Sequence, residues 1–392
     1  MHIAFTGSGS GGHFTPIIAV AREVKRIAEE ERILDLELFY FSPDAADQPL
    51  LQAEDIAFKH TSAGKFRRYF SLANIVDVFK TGLGVWEALW RMLTVMPDVV
   101  FAKGGYGSFP TLVAAYLYHI PVVIHESDAV PGRVSRWVGR WADRVAVSFA
   151  GAAKFFPPER TALLGAPIRK RILGGNTQEA REFFGVFSDR PVLFITGGSQ
   201  GAKVINETVI QILPELLERY EIIHQVGGAN FDEVVLETAS LLKGPPAGRA
   251  GGPSPRGAPG PAKGGPEAYY HIVAALDEVE MRSAYLLADL VISRAGATTI
   301  YEIAAWGKPS IVIPLKNAAQ DHQRENAYEY AAGGAAVVIE EENLTPTVLA
   351  HEIATILADE ERRAKMSYAA QAFSRPGAAE AIAREIIAVG LH

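Results

Sequence analysis

Short apolar runs alternate with helix-sized segments along the whole chain, and this rhythm restricts the fold more than any other feature. The first half carries "HIAFTG", "LELFYFS", "DVVFAKG", "PVVIHES" and "RVAVSF"; the second repeats the pattern with "PVLFITG", "EIIHQVG", "YHIVAAL", "LVISRAG" and "SIVIPL". Val- and Ile-rich runs too short for helices, separated by stretches long enough for one, predict parallel sheets covered by helices on both faces. Two sets predict two Rossmann-like α/β domains, and 392 residues suffice for two full cores. In such sheets ligands bind beyond the carboxyl ends of the strands.

Composition removes several chemistries. The chain has no cysteine, which excludes disulfides, thiolate metal sites and a cysteine nucleophile. No apolar stretch approaches the ~18 residues of a spanning helix. The opening "MHIAFTGSGSGGH" lacks the basic start and apolar middle of a secretory signal, so a cytoplasmic location is expected by default. A net charge of −7 argues against general nucleic-acid binding, yet residues 59–140 hold ten Lys or Arg against five Asp or Glu. A basic region on an acidic protein suggests an anionic partner met by one face only.

Two Gly-rich turns each follow a strand and open a helix: "GSGSGGHFTP" (7–16) and "FITGGSQGAKVIN" (194–206). Either alone is weak, because glycine suits any tight strand-to-helix turn. As a pair, one domain apart, they suggest phosphate-bearing ligands held by backbone N–H groups at two helix starts, facing each other across a cleft. Tight packing of strand on helix explains Gly197, Gly198 and Gly201 equally and is compatible with that reading. A dinucleotide oxidoreductase needs an acid about 20 residues beyond the glycines; Asp44 stands 32 residues after Gly12, which is too far.

A third cluster, "ADLVISRAGATTIYEIAAWGKPSIVIPL" (288–315), makes a small-residue turn after a strand, with Glu302 expected in the opening turn of the next helix. A carboxylate there accepts hydrogen bonds from a vicinal diol such as ribose, or simply complements the helix amino terminus. Beyond the next strand, His322, Gln323 and Asn326 supply amide and imidazole groups suited to sugar hydroxyls. In the first half, "AKGGYGSFP" (102–110) and "IHESDAVPGRVSRW" (124–137) crowd His125, Glu126, Ser127 and Asp128 at a strand end.

Together, "GSGSGGHFTP", "GKFRRYFSL", "KGGYGSFP", "HESDAVPGRV", "GAPIR", "GGSQGAKVIN", "SRAGATTIYEIAAWGKP" and "DHQRENA" resemble, in that order, the MurG family of glycosyltransferases. The resemblance spans nearly the whole chain except residues 243–267. It implies a GT-B fold, an inverting mechanism with no obligatory metal and no cofactor, and transfer of N-acetylglucosamine (GlcNAc) from UDP-GlcNAc to undecaprenyl-pyrophosphoryl-N-acetylmuramyl-pentapeptide, turning lipid I into lipid II. Other readings are a GT-B transferase with another UDP-sugar or polyprenyl acceptor, or a non-catalytic sugar-nucleotide scaffold.

Carried over by position, the resemblance implies that Ser199 meets the donor phosphates, Arg169 neutralises the diphosphate and Leu276 lines the uracil site. Ala297, Thr298, Thr299, Ile300, Tyr301 and Glu302 cover nucleotide and ribose, and Gln323, after His322, faces the GlcNAc hydroxyls. Ser10, Gly11 and Gly12 stand near the donor sugar and the acceptor pyrophosphate. The chain departs from the family at "HESD", where "HEQN" is usual, so Asp128 replaces an asparagine; His322 and Gln323 replace paired glutamines. His13 is the first candidate for the base that takes the acceptor proton, and Glu126 is the alternative base or the partner that orients the imidazole.

The implied organisation is an acceptor and membrane-facing domain over 1–165, a donor domain over 166–374, and a helix over 375–392 that packs back on the first. The stretch "KFRRYFSLANIVDVFKTGLGVWEALWRML" (65–93) mixes Lys and Arg with Phe and Trp, which suits an anionic membrane surface, about half of its apolar residues being expected in the core. Arg133, Arg136 and Arg140 extend the basic rim. Residues 243–267, nearly all Gly, Pro, Ala and basic, read as a flexible surface insertion.

Overall fold

The computed structural model describes residues 1–8, 11–64, 73–198, 201–242, 247–249 and 265–391. The chain divides after Arg169 into two compact α/β units, the first rejoined by the segment from Arg375 onward.

The first unit is a seven-stranded, all-parallel sheet in the order β3-β2-β1-β4-β5-β6-β7. Its strands are β1 (His2–Thr6), β2 (Glu37–Ser42), β3 (Ile56–His60), β4 (Val99–Ala102), β5 (Val122–Glu126), β6 (Arg144–Val147) and β7 (Thr161–Leu163). The side-chain period of two sorts each strand between two cores. Ile3, Phe5, Leu38, Tyr40, Val99 and Phe101 join the helix Gly11–Glu30 on one face. Ala4, Phe39, Phe41, Val100, Ala102 and Ile124 meet Met92 and Leu112 on the other. The helix Ala378–Gly390 belongs to this unit. Its Ile382, Ala383, Ile386 and Ile387 are buried in the first core, which holds it more firmly than the exposed pairs Arg384–Glu31 (3.3 Å) and Arg144–Glu385 (3.0 Å).

The second unit is also a seven-stranded parallel sheet, ordered β10-β11-β9-β8-β12-β13-β14. It comprises β8 (Val192–Thr196), β9 (Glu221–Gln225), β10 (Ala247–Arg249), β11 (Tyr270–Val273), β12 (Leu290–Ser293), β13 (Ser310–Val312) and β14 (Ala336–Val338). Again the period divides it: Leu193, Ile195, Ile222, Leu290 and Ile292 face one core, Val192, Phe194, Ile223 and Val291 the other. Within residues 243–267, Ala247–Arg249 form β10 and pair with His271–Val273. The four residues before β10 and residues 250–264 lie outside the described residues.

In each sheet the chain order reverses direction at the middle, between β1 and β4 in the first and between β8 and β12 in the second. The loops leaving those strands diverge to opposite faces and open a crevice at the carboxyl edge, where open α/β sheets take their ligands.

Candidate active site

Three neighbouring strands of the first unit deliver its polar cluster. Register aligns Thr6 of β1 with Ala102 of β4, and Ala102 with Ile124 of β5. The loops after β1, β4 and β5 therefore emerge side by side at the switch point. His13 lies in the first turn of the helix Gly11–Glu30, and its Nδ1 is 3.3 Å from the Lys103 carbonyl. An Nδ1–H donated to that carbonyl leaves Nε2 as the acceptor nitrogen. Gly105 takes φ +80°, and a Cβ there would stand 2.6 Å from Ser8 Oγ and 3.5 Å from His13 Cε1. Only glycine lets the 103–107 turn approach the β1 loop so closely.

Strand β5 runs on to Glu126, which is buried with Ser127. Glu126 Oε1 accepts from the Asp128 N–H (3.1 Å) and Oε2 from the Gly132 N–H (3.2 Å), with a further hydrogen bond from the Ser135 side chain. The carboxylate thus fastens the "HESDAVPG" turn upon itself. Burial, then the nearby Asp128 charge, raises the Glu126 pKa above the ordinary carboxylate value. His125 Nε2 contacts the Gly165 carbonyl (3.0 Å) and Ser148 Oγ (3.1 Å). Burial and the Lys103 charge push its pKa well below the usual histidine value, which keeps the ring neutral.

Lys103 was not among the residues singled out from the sequence. Placed directly after the apolar strand "VVFA", it reads as a solvated loop lysine; in the structure it is 2% exposed and donates to Ser127 Oγ. The signal lay in the neighbouring strands, since a residue leaving the centre of a parallel sheet is flanked by the loops of both.

In the second unit the turn after β8 carries Gly198 at φ +78° and Gly201 at φ +75°. A Cβ on Gly201 would collide with the Val226 carbonyl and the Asn230 side chain, so the turn presses on the loop after β9. The Gly198 N–H is tied to Thr196 Oγ1 (3.1 Å), whose hydroxyl donates to Gln225 (2.7 Å). The next central strand, β12, leads through Arg294 and Gly296 to the helix Ala297–Ala305, which has no side-chain cap hydrogen bond and no acid in its first turn. This corrects the expected place of Glu302. The helix nucleates at Ala297, so Thr298, Thr299 and Ile300 fill the first turn, and Tyr301 and Glu302 follow. Glu302 is 5% exposed and accepts from the Tyr285 hydroxyl (3.2 Å), so charge at the helix amino terminus is not its function.

The loop after β13 holds Gln320 and Asp321 at positive φ before the helix His322–Ala331. Gln323 Oε1 accepts from the Leu315 N–H (3.1 Å), and Asn326 is buried with its amide on the Ala295 carbonyl (3.3 Å). Arg294 joins Glu341 and the Ile313 carbonyl (3.3 Å), so it braces the same edge. Leu276 is half-buried in the loop after β11, immediately before the Asp277 cap of the helix Glu278–Leu287. Arg169, half-buried, is the last residue of the first unit. Gly11 and Gly12 open the helix that carries His13. Ser10 and Ser199 lie outside the described residues.

Family models place both halves. The glycosyltransferase family 28 N-terminal domain matches residues 3–147, and its C-terminal domain matches 192–248 and 263–382. A UDP-N-acetylglucosamine--N-acetylmuramyl-(pentapeptide) pyrophosphoryl-undecaprenol N-acetylglucosamine transferase of Bacillus thuringiensis is 36% identical over 344 residues, 88% of either chain. The chain belongs to the MurG family. A Clostridium kluyveri member is 34% identical over 348 residues, again 88% of each chain. The crystal structure of Acinetobacter baumannii MurG superposes with a TM-score of 0.69 at 26% identity, covering 99% of both. MurG membership makes the architecture GT-B, two parallel-sheet α/β domains of the kind found here.

Proposed function

We infer that this chain is an inverting glycosyltransferase that moves GlcNAc from UDP-GlcNAc to the 4-hydroxyl of the N-acetylmuramyl residue of lipid I, forming lipid II. The observation that carries this is the relationship, over 88% of the chain, to enzymes of that name. In the reaction the acceptor oxygen forms a bond to the anomeric carbon, the bond from that carbon to UDP breaks, and the hydroxyl proton passes to His13. Glu126 orients that imidazole or takes the proton itself. Gly11 and Gly12, with Ser10, face the acceptor pyrophosphate and donor sugar, and Asp128 accepts from sugar hydroxyls. On the donor side, Ser199 and the helix start after it meet the diphosphate, which Arg169 neutralises as it departs. Leu276 lines the base, Ala297 to Glu302 cover nucleotide and ribose, and His322 and Gln323 read the sugar.

The test is incorporation of radiolabelled sugar from a panel of UDP-sugars into an extractable lipid I analogue. UDP-GlcNAc is expected to be the donor used; turnover only with another UDP-sugar overturns the assignment. The panel is repeated with Asp128→Asn, because a carboxylate cannot donate a hydrogen bond as an amide does, and donor preference is expected to shift between the two.

The lipid carrier is met at a peripheral, cytoplasmic membrane face. No helix among the described residues is long and apolar enough to cross a membrane. The helix Ala73–Val95 instead turns Phe79 (74% exposed), Leu83, Trp86 (64%) and Trp90 (62%) outward at helical spacing, while Ala88 and Met92 enter the core. Lys80 is exposed on the same helix, and Glu87 is drawn inward by the Ser62 N–H (2.7 Å). An apolar stripe with Lys80 on the same helix suits anionic headgroups and shallow insertion. Arg133 and Arg140 are exposed, whereas Arg136 lies over the Phe155 ring at 4.3 Å. Residues 65–72 of this stretch lie outside the described residues. Changing both Trp86 and Trp90 to Glu is expected to weaken sedimentation with anionic vesicles by about ten-fold or more. Turnover of full-length acceptor in vesicles falls further than turnover of a water-soluble, short-chain one; equal losses on both acceptors would count against the membrane role.

A further inference from the structure

The Lys103 side chain has a position that its backbone does not require. It is buried at the carboxyl end of β4, donates to Ser127 Oγ, and lies within electrostatic reach of Glu126 and Asp128 on either side of that serine. Its own carbonyl meets His13 Nδ1. One residue thus touches both the imidazole and the carboxylate turn of the candidate site. We propose that Lys103 is a positioning residue for the transfer reaction: its ammonium binds the Glu126–Asp128 segment into one charge-compensated unit, and its carbonyl holds that unit in register with His13. The proposal rests on the transferase reading above.

Physical chemistry favours this over a purely structural lysine. Two carboxylates two positions apart, one of them buried, repel each other, and a buried cation within reach of both offsets that cost. Remove the ammonium and Glu126 protonates or the turn opens; either way the geometry at His13 changes. The groups that face the ammonium are His125 and Glu126 from β5 and Asp128 from the loop after it, with His13 on the backbone side. Burial lowers the lysine pKa to about 8, against the opposing pull of the two acids. The charged form is therefore present below that pH and lost as pH rises through it.

The experiment is a kinetic cycle of wild type, K103M, D128N and K103M/D128N, with UDP-GlcNAc and the lipid I analogue across pH 6 to about 9.5. K103M is expected to lower kcat by roughly a hundred-fold and to change the KM for UDP-GlcNAc far less, because most of the residues assigned to the nucleotide lie in the other unit. Removing the second carboxylate in K103M/D128N is expected to recover about ten-fold of that loss. Wild type should lose activity through about pH 8, and the double variant should lack that limb. Wild-type kcat in K103M, or no recovery in the double variant, overturns the proposal. If K103M does not fold, a double variant that folds and turns over supports the proposal, and failure of both to fold counts against it. If wild type transfers no GlcNAc, the transferase reading fails instead; urea midpoints of the four proteins then decide the charge coupling, expected as a loss in K103M restored by D128N, its absence refuting the unit.

Discussion

His13→Ala is expected to lower kcat for GlcNAc transfer by about 10²- to 10⁴-fold, the range spanned by a positioned general base. The KM for UDP-GlcNAc should change far less, because most of the residues assigned to the nucleotide belong to the second unit. The expectation starts from geometry. The imidazole sits in the first turn of a helix that begins directly beyond β1, and its Nδ1 is engaged by the Lys103 carbonyl at 3.3 Å. That contact selects the tautomer whose Nε2 carries a lone pair, the nitrogen on which a proton would be taken up. His13→Asn separates this from a structural role. An asparagine amide can still donate to the Lys103 carbonyl but cannot take up the proton. Activity of His13→Asn close to wild type would therefore remove His13 as the base, and activity as low as His13→Ala would support it. The measurement is kcat against pH for all three proteins.

The strands that the apolar pattern revealed and those it concealed differ for one physical reason. The ten runs read from the sequence are the interior strands of both sheets, where burial on two faces demands continuous Val, Ile, Leu and Phe. The four strands it passed over, β3, β7, β10 and β14, are the outermost of each sheet. An edge strand has one neighbour and partial exposure, so "IAFKH" and "TAL" show no apolar run. The glycine turns were legible because a strand followed at once by a helix leaves few other conformations. Lys103 was not, since its burial depends on strands far apart in sequence: β1 and β5 flank β4 only after the sheet has formed. Glu302 was misplaced by a single turn because the helix already starts at Ala297, directly after Gly296, and that turn changed it from a terminal charge to a buried acceptor for Tyr285.

Glu126→Gln decides between the two bases. The wild-type carboxylate accepts two backbone hydrogen bonds, from Asp128 (3.1 Å) and Gly132 (3.2 Å), one on each oxygen. Glutamine has a single acceptor oxygen, so its amide NH₂ must face one of those N–H groups, and the turn that carries Asp128 loosens. A kcat loss of about a hundred-fold is expected from that displacement together with the lost charge. The double variant His13→Ala with Glu126→Gln carries the distinction. Residues acting as one unit are strongly non-additive, so if Glu126 works by orienting and charging the imidazole, the double variant should be no slower than His13→Ala alone. If Glu126 takes the proton independently, the two losses multiply. The pH profile supplies a second reading. Burial and the Asp128 charge raise the Glu126 pKa, so its ionised form is lost as pH falls, and the activity that depends on it falls on the acid side. Because the buried cation opposes that rise, losing the Lys103 charge moves the same limb to higher pH. An acid limb that persists unchanged in Glu126→Gln would assign it to another group.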